Sequence, residues 1–541
     1  MKNIVSKERT KRTRSRERQV GKAAQKTHAW REHPALGLAI ALATWLLTIA
    51  ILHSGHIVSR GVSLSAFLHL SGHAIILLAG LLSIGLLLKL THPTLLAKNS
   101  QILLLALIVI ASIVPAKMLV YTSSQTALFS PHILPFVMTF ALAPIVATIL
   151  INGVTGVAAG LWCSLVITIL IGGGLPVFLA GLVVTLVASH SAEHVRTRSK
   201  VVRVGIMAGI TEIAFVFAIT AMNWETAEAI IVLRQAAACV VSGFLSAILA
   251  LIIIPIFEKS FRITTDITWL ELADLSHPLL QRLAMEAPGT YHHSLVVSSL
   301  AQAAAEEIGA NSLIARVTSY FHDVGKLNKP EFFAENMRFQ HNPHDDLPPS
   351  MSMLIITSHV KEGVSLALHH RLPDRIIDVI REHHGTSVVS YFHRKAVSQA
   401  ENGKKGAASS VKNTPVEEWN FRYDGPKPTS RESGIVNLAD PVEAASRSLE
   451  KPTAASIEGL IDDIIEERVN DGQLDNSGLT LAELTQIKNA FMFTLTSIFH
   501  GRTPYPKNGN TPAQSTESVQ APDKAPSEAP DVADEALDSD A

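Results

Sequence analysis

The segment 318–326, TSYFHDVGK, sets an imidazole beside a carboxylate, His322 next to Asp323, in an otherwise apolar stretch. Leu313, Ile314, Val317, Phe321 and Val324 precede and surround the pair at helical spacing, and Gly325 suits the end of that helix. Burying both groups is costly unless something pairs them. Two pairings fit: a His–Asp salt bridge in a core, or a metal ion held by both. The dipeptide alone favours the salt bridge, but further His and Asp residues along the chain turn the argument towards metal.

His293 opens a helical pattern after APGTYH, and His359 follows the apolar run 353–356. His383 and His384 end the pattern DRIIDVIREHH, on or beside the face that carries Ile376, Ile377 and Ile380. Asp440 follows Val436 and Leu438 in IVNLADPVEAASR. With His322 and Asp323 these make seven nitrogen or oxygen donors and no thiolate. The two cysteines, Cys163 and Cys239, sit in apolar runs and form neither a disulfide framework nor a zinc motif. Such a donor set suits two hard or borderline divalent ions, iron or manganese, and argues against structural zinc. Asp323 is placed to bridge. Two ions about 3.5–4 Å apart would hold a hydroxide and clamp the attacked and leaving oxygens of a phosphodiester. Lys326 puts a cation where a phosphoryl oxygen gains charge, or it is a helix-end cation stabilised by the dipole.

The elements that must position these residues follow a long apolar half. The 541 residues are 48% hydrophobic with mean hydropathy +0.27, and residues 35–257 carry most of that excess. A net charge of −1 points to no nucleic-acid polymer as partner. Spans are expected near 35–53, 74–91, 102–121, 131–151, 153–171, 173–190, 203–221 and 230–256, each near the roughly 20 residues a helix needs to cross a bilayer. The break at Asn152 and Gly153 is the weakest boundary in that map. Eight spans put both ends on one side. The basic tail 1–34 and the loops with Lys89, Lys98, Arg196, Arg198, Lys200 and Arg203 make that side cytoplasmic. Lys117, Glu212 and Arg234 lie inside or near the spans, where a charge marks either a ligand pocket or an interhelical pair.

Residues 257–290 read as a connector, partly amphipathic through Ile267, Leu270, Leu272 and Leu275. The domain 276–501 reads as all helix, with patterns at 292–308, 312–324, 351–370, 374–384, 433–450, 455–470 and 480–500 and a capping box at Thr480 and Glu483. The stretch 396–418 reads as a polar surface insertion loop, and the tail from 502 as disordered. The fold class expected is all-α, a multi-span membrane domain (35–256) followed by a helical catalytic domain.

The order H…HD…H…HH…D with HDVGK resembles the HD superfamily of metal-dependent phosphohydrolases. APGTYHHSLVV, NPHD, ITSHVKEGV, EHHGTSVVSYF, FRYDGPKP and LADPVEAASR narrow the likeness to the PgpH-like, seven-transmembrane-receptor HD family of bacterial membrane-bound cyclic di-AMP phosphodiesterases. That resemblance guides which of the 23 histidines are retained. It implies a bimetallic iron or manganese site held by His293, His322, Asp323, His359, His383, His384 and Asp440. It also implies hydrolysis of cyclic di-AMP to pApA at the bacterial inner membrane.

Three features depart from the family pattern. Only the gap near 54–73 stands where a large extracellular domain is usual; Pro441 follows Asp440 and predicts a kink or a helix start; and the 396–418 stretch is long. His344, in NPHDDL, is either a substrate contact or part of a turn, and Arg422, Lys427 and Arg447 are candidate phosphate or adenine contacts. The partners expected are a cyclic dinucleotide, the lipid bilayer and a ligand or protein of the membrane domain; a homodimer is compatible with all of this. Cyclic di-GMP and (p)ppGpp are alternative substrates, but HHGTSVVSYFHRK lacks the GYP motif of the cyclic di-GMP enzymes. A nucleotide-binding receptor without activity would have lost a ligand, and none is lost. A transporter would show an internal repeat among its spans, and none is convincing.

Overall fold

The computed structural model describes residues 33–54, 64–126, 129–222, 228–337, 342–406, 416–449 and 452–500. The basic tail to residue 32, residues 55–63 of the 54–73 gap, 407–415 of the polar stretch and the tail from 502 lie outside the described residues. Among the described residues the fold is helical, and an isolated bridge between Val388 and Arg422 is the extended pairing.

Among the described residues, besides the one-turn helix Pro93–Leu96, eight helices make the apolar half: α1 (Pro34–His53), α2 (Leu64–Thr91), α3 (Asn99–Thr126), α4 (Leu142–Leu150), α5 (Gly153–Leu170), α6 (Leu175–Ala192), α7 (Arg198–Met222) and α8 (Ala229–Phe261). Seven are long and apolar enough to cross a membrane, so the chain is a multi-pass membrane protein. The exception is α4. The single span expected over 131–151 is instead a 3-10 turn at Leu134–Val137, an extended Met138 and the nine-residue α4. Nine helical residues rise only about 14 Å. Met138 breaks the helix, and its freed carbonyl accepts from Ser242 Oγ at 2.7 Å, so the irregular backbone is satisfied by protein. The boundary at Asn152 is a true helix start, because its side chain caps Thr155 N and the Thr155 hydroxyl answers in a capping box.

Contacts fix the two ends of the bundle. Asn99 donates to His33 O (3.0 Å), Leu88 and Leu95 pack on Ala158, and a Cβ on Gly153 would lie 3.4 Å from Glu193, so these residues share one end. Lys117 Nζ donates to Leu52 O (2.9 Å), and Gln235 to His132 O (2.9 Å), towards the other end. The broken segment therefore runs from one end of the bundle towards the other. Helices α7 and α8 meet through glycine: a Cβ on Gly243 would stand 2.1 Å from Gly205 O, and one on Gly205 2.3 Å from Gly243 O. Small residues of this kind let membrane helices approach backbone to backbone. Glu212, on α7, is buried, whereas Arg234 near the start of α8 is exposed.

The remaining helices are α9 (Asp266–Leu272), α10 (Pro278–Glu286), α11 (Pro288–Glu307), α12 (Ser312–Phe321), α13 (Pro349–His369), α14 (Asp374–Glu382), α15 (Ser390–Gly406), α16 (Arg431–Ser446), α17 (Ala454–Asn470) and α18 (Leu481–His500). Their apolar faces enclose Trp269, Leu279, Leu283, Val317, Phe321, Ile376 and Ile380. The Thr480–Glu483 capping box is formed, with Thr480 N to Glu483 Oε2 at 2.8 Å. One expectation fails here, and one of two alternatives is excluded. Residues 396–406 are not loop but the continuation of α15. Helix α16 runs through Pro441 rather than starting there. The donor missing at Pro441 is one the Asn437 carbonyl goes without, and Asn437 ties the helix elsewhere, its Nδ2 donating to His383 O at 2.8 Å.

Candidate metal centre

The site is built from the ends and inner faces of five helices. Asn311 caps α12 by accepting from Ile314 N (3.0 Å), which sets the helix so that it ends at Phe321 and delivers His322 and Asp323 at its C-terminus. A 3-10 turn, Val324–Asn328, then replaces the last turn expected of a helix reaching 324. Gly325 is needed there: a Cβ would lie 1.8 Å from His359 O. That close approach brings α13 and its His359 against the turn. Thr429 N and Oγ1 both bond Glu382 (2.9 and 2.7 Å), fixing the end of α14 that carries His383 and His384.

The seven expected donors come together as two groups of four that share one residue. His293, His322, Asp323 and Asp440 form one; Asp323, His359, His383 and His384 form the other; donor atoms within each lie within 4.8 Å of one another. The two oxygens of Asp323 divide between them. Oδ2 faces His293 Nε2 (3.4 Å) and His322 Nε2 (3.3 Å), while Oδ1 faces His359 Nε2 (3.4 Å) and His383 Nε2 (3.7 Å). Asp440 spans the groups as well, with Oδ1 3.0 Å from His293 Nε2 and Oδ2 3.4 Å from His384 Nδ1.

In four of the five histidines the other ring nitrogen is engaged. Nδ1 of His322 lies 2.7 Å from Ser319 O, that of His383 2.9 Å from Ile380 O, and that of His359 bonds Ile356 O. His293 Nδ1 lies 2.5 Å from Glu443 Oε2, and Arg447 Nε donates to the second oxygen of that carboxylate at 2.7 Å. Carbonyls and a carboxylate on Nδ1 hold the proton there and aim the Nε2 lone pair inward, as metal-ligating histidines require. By contrast His293 Nε2, His322 Nε2 and Asp323 Oδ1 are buried without a hydrogen-bond partner among the described residues. Buried polar atoms are rarely left so, and this inward-facing set fits two divalent ions.

Charge is divided across the cluster. Burial opposes ionisation of Asp323, but Lys326 and His322 outweigh it and hold its carboxyl well below the usual range; Asp440 is held low against burial by His293 and His322. Burial opposes the charge on His322, yet Asp323 and Asp440 raise its pKa to about 9. Burial pushes His359 down to about 4 and, helped by His383, carries His384 well below its ordinary value. His359 and His384 are thus held neutral, while His322 carries a proton that a metal would displace.

Lys326 does not close a helix. Its ammonium bonds Asp323 Oδ2 (2.7 Å) and Glu335 Oε1 (2.8 Å) and lies over the Phe333 ring. His344 is buried between Phe332 and Phe392, with Nε2 2.8 Å from Phe332 O and its own N–H on Asn342 Oδ1 (3.0 Å). It belongs to a packed turn and stands outside the two donor groups. Arg422 is a brace: it bonds Asp471 twice (2.9 Å each), Glu418 and Thr386 O. Lys427 bonds Gly472 O (2.6 Å) and Asp475 (3.3 Å). Arg447 acts on Glu443.

Sequence reasoning missed Glu443, Glu335 and Tyr423. Glu443 stands three residues after Asp440, one turn along the same helix face, and that spacing could have found it. Tyr423 stacks on His384, centroids 4.2 Å apart and planes at 25°, and lines a cavity of about 270 Å³ with Thr357, Lys361, Arg381 and Gly385. No pattern in FRYDGPKP announces that stacking.

Residues 67–265 match the family model described as "7TM receptor with intracellular HD hydrolase", and residues 290–445 match the HD domain model. The chain is 40% identical over 309 residues to the cyclic-di-AMP phosphodiesterase PgpH of Listeria monocytogenes, covering 57% of this chain and 41% of that protein. It is 37% identical over 310 residues to PgpH of Bacillus subtilis, covering 57% and 42%. The crystal structure of the L. monocytogenes PgpH HD domain with cyclic-di-AMP matches at 42% identity and a TM-score of 0.38, over 41% of this chain and 98% of that one. The chain spans about two fifths of the length of these curated relatives. Its residues 67–265 and 290–445 are thus similar to a 7TM-receptor membrane domain followed by an HD domain, in a chain similar over 57% of its length to the PgpH proteins.

Proposed function

We propose that the chain is a metal-dependent phosphodiesterase, tethered to the membrane, that hydrolyses cyclic di-AMP to linear pApA. The observation that carries this is the shared Asp323, with one oxygen turned to each group of histidines. Both groups sit in an HD domain, and the similar proteins are named for that activity.

Two divalent ions, iron or manganese, supply an activated water and neutralise phosphoryl charge when bound. His293, His322 and Asp440 with Asp323 would hold one; His359, His383 and His384 with Asp323 the other. The chain's own part is positioning. Backbone carbonyls and Glu443 orient the imidazoles, and Lys326 holds Asp323 through Oδ2 while offsetting negative charge beside the reacting phosphate. Tyr423 presents a ring face beside His384, where a nucleobase can stack, and the adjoining cavity with Lys361 and Arg381 suits the other half of a dinucleotide. Hydrolysing one of the two phosphodiesters opens the ring and leaves a 5′-phosphate. The basic loops, together with the end shared by His33 and Glu193, support a cytoplasmic catalytic domain and a cytoplasmic amino terminus. The test is purified protein loaded with manganese or iron and assayed against cyclic di-AMP, cyclic di-GMP and (p)ppGpp with products identified. Turnover of cyclic di-AMP to pApA is expected; turnover of only another nucleotide, or of none, overturns the reading.

A further inference from the structure

The membrane bundle contains a second site. Between α1, α2, α3 and α5 lies a cavity of about 420 Å³, lined by apolar side chains that include Ala41, Leu81, Leu105 and Val109. Its size is within the 300–1,000 Å³ usual for ligand pockets. It exists because α2 packs loosely: of the α2 residues that approach the bundle, Leu77 and Leu88 are buried, whereas Leu82 and Leu86 are exposed. Gly85 contributes no side chain, and a Cβ there would meet nothing within 4 Å.

Two polar groups mark the cavity. Lys89 lines it, is exposed, and makes no ion pair among the described residues. It lies at the end of the bundle shared with His33 and Asn99, beside the loop that carries the exposed Lys98. The other is Trp162, 3% exposed, which lines the cavity and whose indole N–H is buried without an acceptor among the described residues. A buried donor left unmade costs free energy that an acceptor on a bound molecule, such as the ester carbonyl that joins an acyl chain to its headgroup, would recover. An apolar chamber with a cation at its headgroup-level mouth is complementary to one chemistry, an acyl chain ending in an anionic headgroup.

We propose that this cavity binds an acyl chain of an anionic phospholipid, with the headgroup phosphate on Lys89. This is a resident lipid site, distinct from the annular contact that any exposed apolar helix makes. It is independent of the catalytic reading and stands or falls without it.

The test uses the full chain in detergent, with phosphatidylglycerol or phosphatidylcholine added and bound lipid counted by native mass spectrometry. One phosphatidylglycerol per chain should be retained in preference to phosphatidylcholine. Gly85→Leu fills the chamber from α2 and Ala106→Phe from α3, and either should abolish that retention; the pair guards against one variant failing to fold. Lys89→Gln should keep the chain site but lower the preference for phosphatidylglycerol about fivefold, the factor that about 1 kcal/mol per lysine at an anionic surface implies. Equal retention of both lipids by the unaltered protein, or undiminished phosphatidylglycerol in both filling variants, overturns the proposal.

Discussion

Replacing Glu443 with Gln tests whether the centre depends on residues outside the donor set. In the structure Glu443 is 3% exposed; one carboxylate oxygen meets His293 Nδ1 at 2.5 Å and the other accepts from Arg447 Nε at 2.7 Å. Both neighbours are donors, so both oxygens must accept. Glutamine has one oxygen. If its amide nitrogen turns to Arg447, two donors oppose each other. If it turns to His293, the imidazole must accept at Nδ1 and carry its proton on Nε2, the atom that faces Asp323 and Asp440. Either choice weakens one of the two groups of four. Partners of this kind are worth roughly 10–100-fold in metal affinity or activity, or about 1.4–2.7 kcal/mol at about 1.36 kcal/mol per decade. The assay is metal affinity by competition with a chelator, run beside turnover across a metal titration. Turnover should fall at limiting metal and recover partly in excess. Arg447→Ala should shift affinity the same way by less, because it leaves the carboxylate on His293. If Glu443→Gln leaves metal affinity and turnover unchanged, the contact is packing and the positioning argument is wrong.

Asp323→Ala should remove hydrolysis by several orders of magnitude and lower metal content at both positions, since each group loses a donor; near-normal turnover with full metal would sink the two-ion reading. Arg422→Ala should lower thermal stability with little change in KM, because its guanidinium is spent on Asp471, Glu418 and Thr386; a rise in KM at unchanged stability would restore it as a substrate contact. A soluble piece should begin no later than Thr265, the cap of α9, and retain phosphodiesterase activity, whereas one starting at His277 should aggregate for want of Trp269; activity limited to the full-length chain would show that the bundle does more than tether. Reporter fusions at Lys22 and after Arg502 should both read as cytoplasmic, and a periplasmic signal from either breaks the eight-pass map.

How far the sequence could be read depended on what each residue's role requires. The seven candidate donors could be picked out because each sits at a helix end or on an apolar face where a polar side chain needs a reason, and because the resemblance to the HD family selected them from the 23 histidines. Glu443 and Tyr423 were not, because a glutamate on a helix and a tyrosine in a loop are ordinary until the fold supplies His293 and His384 as neighbours. Likewise the apolar run 131–151 has the composition of a span, and hydropathy cannot register that Ser242, 104 residues from Met138, accepts responsibility for a broken helix. Arg422, Lys427 and Arg447 looked free in the sequence because their carboxylate partners are distant or one turn away, and an exposed cation carries no sign of its partner. The polar composition of 396–406 masked a helix because α15 continues on the strength of Phe392 packing with Phe421 at its start, not of an apolar face along its whole length.

The connector shows where membrane and catalytic halves can influence one another. Helix α8 ends at Arg262 in a left-handed conformation (φ 53), and Glu258 Oε1 then accepts from Thr265 N (3.1 Å), Thr265 Oγ1 (2.6 Å) and Thr268 Oγ1 (2.8 Å). Those three bonds fix the corner between α8 and α9. Helix α9 is only seven residues long, yet Ile267 packs in the core of the membrane bundle and Trp269 in the core of the HD domain. The ion pairs that flank it, Arg198–Glu271 and Arg196–Asp266, are exposed, and pairs of that kind are worth at most about 1 kcal/mol each. They are too weak to hold two domains in register against a change in the bundle. The wedge can, because burying one large apolar side chain contributes about 1.5–3 kcal/mol and α9 commits one to each side. A shift of α8 must therefore move Trp269, and with it Phe321, the residue directly before His322 and Asp323. Coupling between the two halves, if the bundle responds to anything, passes through that apolar contact rather than through the charges on the surface of the joint.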